Sequence, residues 1–104
     1  MVKVETKRHV LKRISAEGHM DGRGCFALSL LLKSVAQLLH NSGRVFINGA
    51  TPKRGYYEME ISNVHKDHTA WLQGVTDYLI DMLLELRVES PTVIGLEIED
   101  CDNA

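Results

Sequence analysis

The chain has 104 residues and a mass of 11.7 kDa, with 44% hydrophobic and 25% charged residues. That is room for a single domain, 1–104, with one thin core, and it excludes a disordered chain. Net charge is −2 and the isoelectric point about 6.2, so no bulk charge draws the protein to nucleic acid.

Two cysteines, Cys25 and Cys101, are too few for a disulfide scaffold and point to a reduced, cytoplasmic chain. The opening MVKVETKRHV has no apolar run of the signal-peptide kind, and no apolar stretch approaches a membrane span. Charge is divided along the chain. Residues 1–54 carry 10 Lys/Arg against 3 Asp/Glu, and residues 55–104 carry 2 against 11. Two readings follow: halves that attract each other across one surface, or a basic face that meets RNA or a ribosome.

Val2-Lys3-Val4-Glu5 alternates as a strand does, and Thr6–His9 is a polar connection. Val10–Ala16 returns as a second strand with a less regular pattern. Residues 17–24 hold three glycines and read as a mobile loop. A helix is expected over Cys25–Asn41, where Leu28, Leu31, Leu32, Val35, Leu38 and Leu39 recur at three- and four-residue spacing. Gly43 is its left-handed cap. Arg44–Asn48 and Tyr56–Ile61 are strands around a Pro/Gly connection. Ser62 or Asn63 would cap a second helix running to about Glu89, with Trp71, Val75, Tyr78, Leu79, Met82 and Leu86 on its apolar face. Ser90-Pro91 stops it, Thr92–Glu99 is a last strand, and the acidic tail from Asp100 is frayed. The order ββαββαβ defines a two-layer α+β domain: a largely antiparallel sheet with two helices on one face. The first helix is apolar around more of its circumference than one sheet face needs, so Leu30, Leu31, Val35 and Leu38 are covered either by the second helix of the same chain or by a second copy, and a homodimer is expected.

Chemistry concentrates in Gly18-His19-Met20-Asp21-Gly22-Arg23-Gly24-Cys25-Phe26-Ala27-Leu28-Ser29. A cysteine opening a long helix meets unpaired backbone N–H groups that favour the thiolate. His19, six residues upstream on a glycine-rich loop, is within folding reach of the sulfur. Ser29 lies one turn beyond Cys25 on the same helix face. The same pattern also suits an inert core cysteine and a solvated loop histidine. A metal centre would need His65 and His68 to converge with His19 and Cys25, which nothing in the spacing requires; no metal and no cofactor is expected.

The Gly-His-Met run, the short loop and the Cys-Phe-Ala-Leu-Ser helix start resemble the ribosomal-processing cysteine protease family, Prp, whose members show Gly-His-Ala, a loop and a Cys-Ala-Ala-Val-Ser-like helix start. The resemblance covers the whole chain in length and element order and is specific over residues 18–29. It implies an α+β homodimer with His19 and Cys25 as a catalytic dyad. It also implies a substrate, the N-terminal extension of a bacterial large-subunit ribosomal protein precursor. Ser29 matches the family's serine one turn on. An aspartate common three residues before the cysteine is Gly22 here, with Asp21 the nearest carboxylate, and Met20 stands for the usual alanine.

The expected function is therefore a cytoplasmic cysteine endopeptidase. Cys25 attacks, His19 moves the proton, and Asp21 or Ser29 orients the pair. The amides of Cys25 and Phe26 hold the oxyanion, and Gly18, Gly22 and Gly24 let the loop close over the substrate peptide. A transient ribosome contact is expected, and no membrane. The rival is a non-catalytic ribosome- or RNA-associated binding module docking through Lys3, Lys7, Arg8, Lys12 and Arg13.

Overall fold

The computed structural model describes residues 2–17, 22–48, 56–62, 65–89 and 95–100, with the side chains of 22–26 and 56 outside the description. Strands β1 (Val2–Lys7), β2 (Val10–Glu17), β3 (Phe46–Asn48), β4 (Tyr56–Ser62) and β5 (Leu96–Asp100) form one sheet in the order β3-β4-β2-β1-β5. Helices α1 (Gly22–Ser42) and α2 (Thr69–Glu89) cover one of its faces. Three of the four strand pairings are antiparallel, and β1 with β5 is parallel, because the crossover through α2 returns the chain to the far side of β1. The two-layer α+β architecture expected from the element order is the one observed.

Register explains the layering. Val4 pairs with Ile14 and Ile14 with Met59, so all three fall on one face, and all three are buried. The alternate face carries Lys3, Glu5, Arg13, Ser15, Glu58 and Glu60, with Glu97 and Glu99 brought alongside by β5. Here the basic and acidic halves of the sequence interleave. Lys3 Nζ lies 3.3 Å from Glu99, and Arg13 bridges Glu58 at 2.5 Å and Glu5 at 3.7 Å. The hydrogen bond from Lys3 to Glu99 pushes the lysine's pKa above its usual 10.5. Pairs this exposed fix register more than they add stability.

The irregular pattern of β2 has a physical cause. Glu5 pairs with Arg13 but Thr6 pairs with Leu11, so Lys12 is an extra residue, a β-bulge. Leu11 and Ile14 are therefore both buried although three residues apart, which defeats a period of two. The Leu11 amide reaches across to α2, donating to Thr76 Oγ1 at 2.9 Å, while that hydroxyl donates to Leu72 O at 2.7 Å. Thr76 is wholly buried with both hydrogen-bonding roles filled.

The β1–β2 connection is shorter than Thr6–His9: only Arg8 and His9 turn the chain, both left-handed at φ 52° and 65°. A two-residue hairpin of this hand normally takes Asn-Gly, and an ordinary L-residue there costs about 1–2 kcal/mol. Asp100 clamps the turn. Its Oδ1 accepts from Thr6 Oγ1 at 2.6 Å and from the His9 amide at 3.0 Å. Asp100 is thus the last residue of β5 and not part of a frayed tail.

Both helices differ from expectation in detail. α1 starts at Gly22, three residues before Cys25. It ends as expected at Gly43, φ 68°, with Ser42 Oγ donating to Leu39 O at 2.7 Å. α2 starts at Thr69, after a 3₁₀ turn, Lys66–His68, which His65 caps by accepting from the Asp67 amide at 3.2 Å. Ser62 belongs to β4, and Asn63 lies outside the described residues. The core stripe of α2 is Leu72, Thr76, Leu79 and Leu83, one position round from the stripe read in the sequence, of which only Leu79 is shared. β3 and β5 are each shorter than expected at the start, at Phe46 and Leu96, with 92–94 outside the described residues.

Candidate active site

The chain leaves the sheet at Glu17, which pairs with Tyr56, and re-enters regular structure at Gly22. Between these two points Gly18, His19, Met20 and Asp21 lie outside the described residues. Gly22 and Gly24, expected in the loop, are instead the first and third residues of α1. Cys25 is the fourth residue of the helix. It remains within the first turn, where the field of the unpaired amides is felt.

The earlier helix start corrects one element of the expected chemistry. Within an α-helix an amide bonds to the carbonyl four residues back, so that of Phe26 falls in the ladder with Gly22. The amides without an intrahelical partner are those ahead of it, at Gly22, Arg23 and Gly24. Cys25 and Phe26 therefore do not supply a free pair of donors.

Ser29 is half-buried in α1, one turn from Cys25. On the sheet side, Tyr57 pairs with Ala16, three residues before His19. Its half-buried phenol has its pKa raised above 10.0 by desolvation, and its hydroxyl donates to the Met59 sulfur at 3.9 Å.

Starting at Ala27, two residues beyond Cys25, an apolar groove of about 770 Å³ runs between the helices. Leu30, Leu31 and Leu38 line it from α1, and Trp71, Tyr78 and Met82 from α2. Leu30 is 56% exposed, Leu38 50% and Tyr78 58%. Trp71, Val75, Tyr78 and Met82, read from the sequence as the apolar face of the helix, line this groove, and Trp71 and Val75 also pack against the edge of the core. Arg44 stacks 4.8 Å above the Trp71 ring, and the His68 ring meets Arg44 O at 3.2 Å, which ties the end of α1 to the start of α2.

His65 and His68 are engaged as a cap and in that tie, with ring centroids 6.0 Å apart. Among the described residues no three metal-binding side chains come together, and no helix is long and apolar enough to cross a membrane.

An open-faced α+β sandwich of ββαββαβ order, with a helix entering directly after the second strand, defines the class. No family model matches the sequence, and no curated protein matches it. Solved structures do match. SMU.848 from Streptococcus mutans aligns at a TM-score of 0.79 and 15% identity, over 96% of this chain and 93% of that one. The essential ribosomal processing protease Prp from S. aureus, with a covalently linked product peptide, aligns at 0.75 and 14%, over 95% and 100%. The same protease with a substrate peptide aligns at 0.72 and 12%, over 95% and 100%. The chain has the fold of the ribosomal processing protease Prp.

Proposed function

We propose that this protein is a cysteine endopeptidase that removes the N-terminal extension of a ribosomal protein precursor. The supporting observation is positional. In a chain with the Prp fold, Cys25 stands in the first turn of the helix that follows β2, and His19 stands in the four-residue connection before that helix. Chain geometry permits the dyad. Cys25 is about 4.5 Å along the helix axis from Gly22, and His19 is at most about 11 Å of extended chain from Gly22.

The Cys25 thiol gives its proton to the His19 imidazole, and the thiolate adds to the scissile carbonyl. The tetrahedral oxyanion sits at the start of α1, where the free amides of Gly22 to Gly24 are its donors. Collapse breaks the C–N bond as the imidazolium returns the proton to the leaving amine. Water then hydrolyses the thioester with His19 as base. Asp21 and Ser29 are the two candidates for the group that orients the imidazole. Gly18 gives the connection the freedom to close over an extended peptide. Incubation with a ribosomal protein precursor should yield a shortened product by mass spectrometry; an intact precursor from several such substrates sinks the reading.

The groove between α1 and α2 supports a homodimer as the working form. Its exposed leucines and aromatics are a contiguous apolar surface of the kind that a two-fold partner covers. Light scattering coupled to size exclusion should give twice 11.7 kDa, and Leu38→Glu should halve the mass. A wild-type mass that stays at 11.7 kDa at high concentration contradicts the dimer.

A further inference from the structure

We propose that the tip of the β1–β2 hairpin, through Lys7, Arg8 and Lys12, docks on the phosphate backbone of a folded RNA. The proposal is independent of the chemistry at Cys25.

The sequence offers five Lys/Arg cations on this hairpin, and the structure divides them. Lys3 and Arg13 are engaged by Glu99, Glu58 and Glu5 on the open sheet face. Lys7, Arg8 and Lys12 are exposed and, among the described residues, make no ion pair. Two features of the backbone bring them together. The bulge adds Lys12 to β2, on the side of the sheet opposite the buried Leu11 and Thr6, the side that Lys7 also occupies. The tight turn holds Arg8 beside Lys7.

The turn is the second, independent observation. Arg8 and His9 both hold left-handed backbone, where asparagine and glycine would sit without strain. Asp100 clamps this conformation through Thr6 and the His9 amide, so its carboxylate faces the turn's backbone. Strained backbone that persists because neighbouring groups hold it clusters at ligand clamps and other functional positions. What the strain secures here is the display of a guanidinium between two ammonium groups.

The tip carries no exposed apolar side chain to insert into a lipid surface, which argues against a membrane partner. The acidic residues Glu58, Glu60, Glu97 and Glu99 on the adjoining sheet face would be repelled along a straight DNA duplex. A folded RNA concentrates phosphates at a corner that a hairpin tip can reach alone.

The test is fluorescence anisotropy with a labelled RNA hairpin, a DNA duplex of matching length, and phosphatidylglycerol vesicles. Wild-type protein should bind the RNA most tightly. Three phosphates neutralised imply an affinity loss of about fortyfold between about 50 and about 200 mM salt. Lys7→Gln/Arg8→Gln/Lys12→Gln should lose binding. Arg8→Asn/His9→Gly should melt at a higher temperature than wild type yet bind more weakly, with the salt slope reduced by about one; its added stability excludes unfolding as the cause. The proposal is overturned by wild-type protein that ignores the RNA at low salt, by tighter binding to the duplex or the vesicles, or by either variant binding RNA as wild type does.

Discussion

Cys25→Ala should lower precursor cleavage at least about 10⁴-fold and leave the fold unchanged, because the nucleophile is the one group whose removal no neighbour can replace. His19→Ala should have a comparable effect, since a thiol without its base is a weak nucleophile at neutral pH. The double variant should be no worse than either single one, as expected of groups that act as a unit. Single-turnover cleavage followed by mass spectrometry measures all three, with far-ultraviolet circular dichroism as the control for folding. Cleavage by Cys25→Ala at near wild-type rate would place the chemistry elsewhere. Ser29→Ala against Asp21→Asn then separates the two candidates for orienting the imidazole: the one that matters should lose activity and shift the pH profile.

Leu79→Ala should destabilise the domain by about 3 kcal/mol, within the usual range for a leucine removed from a closed core. Leu79 is fully buried at the middle of α2, in the stripe Leu72–Thr76–Leu79–Leu83 that faces the sheet. A domain of this size has only about 5–15 kcal/mol of total stability, so the loss should shift the urea midpoint strongly. Met82→Ala, three residues on but in the exposed groove, should cost far less in the monomer. Equal costs for Leu79→Ala and Met82→Ala would mean that α2 is rotated from the orientation described.

The element order was legible because both helices are long apolar runs bounded by turn residues and β4 alternates closely with a period of two. Tyr57, Met59 and Ile61 alternate with Glu58, Glu60 and Ser62, and only one face of the sheet is buried. β2 was harder to read because the Lys12 bulge changes the phase between Leu11 and Ile14. The face of α2 was misread for a different reason. Its apolar residues run around most of the helix, so periodicity alone cannot tell the sheet-facing stripe of Leu72 and Leu83 from the groove-facing stripe of Trp71 and Tyr78. Thr76 was invisible as a core residue, since its hydroxyl is satisfied in the core by the Leu11 amide, sixty-five positions away in the sequence. At the candidate site, residues 22–29 of the Gly18–Ser29 motif fall in α1, and residues 18–21 lie outside the described residues. The glycines at 22 and 24, however, read as loop when they open the helix. Glycine favours turns only as a tendency, and here it is outweighed by the long apolar helix that follows.

Activation of Cys25 is read most directly by the pH dependence of its alkylation, with iodoacetamide as reagent and peptide mass spectrometry to separate Cys25 from Cys101. A thiol in the first turn of α1 with His19 as its partner should be labelled at neutral pH, with a midpoint clearly below the free-cysteine value of about 8.5. His19→Ala should move that midpoint upward. Labelling of Cys101 with Cys25 spared, or a Cys25 midpoint at or above about 8.5, would contradict a catalytic thiol.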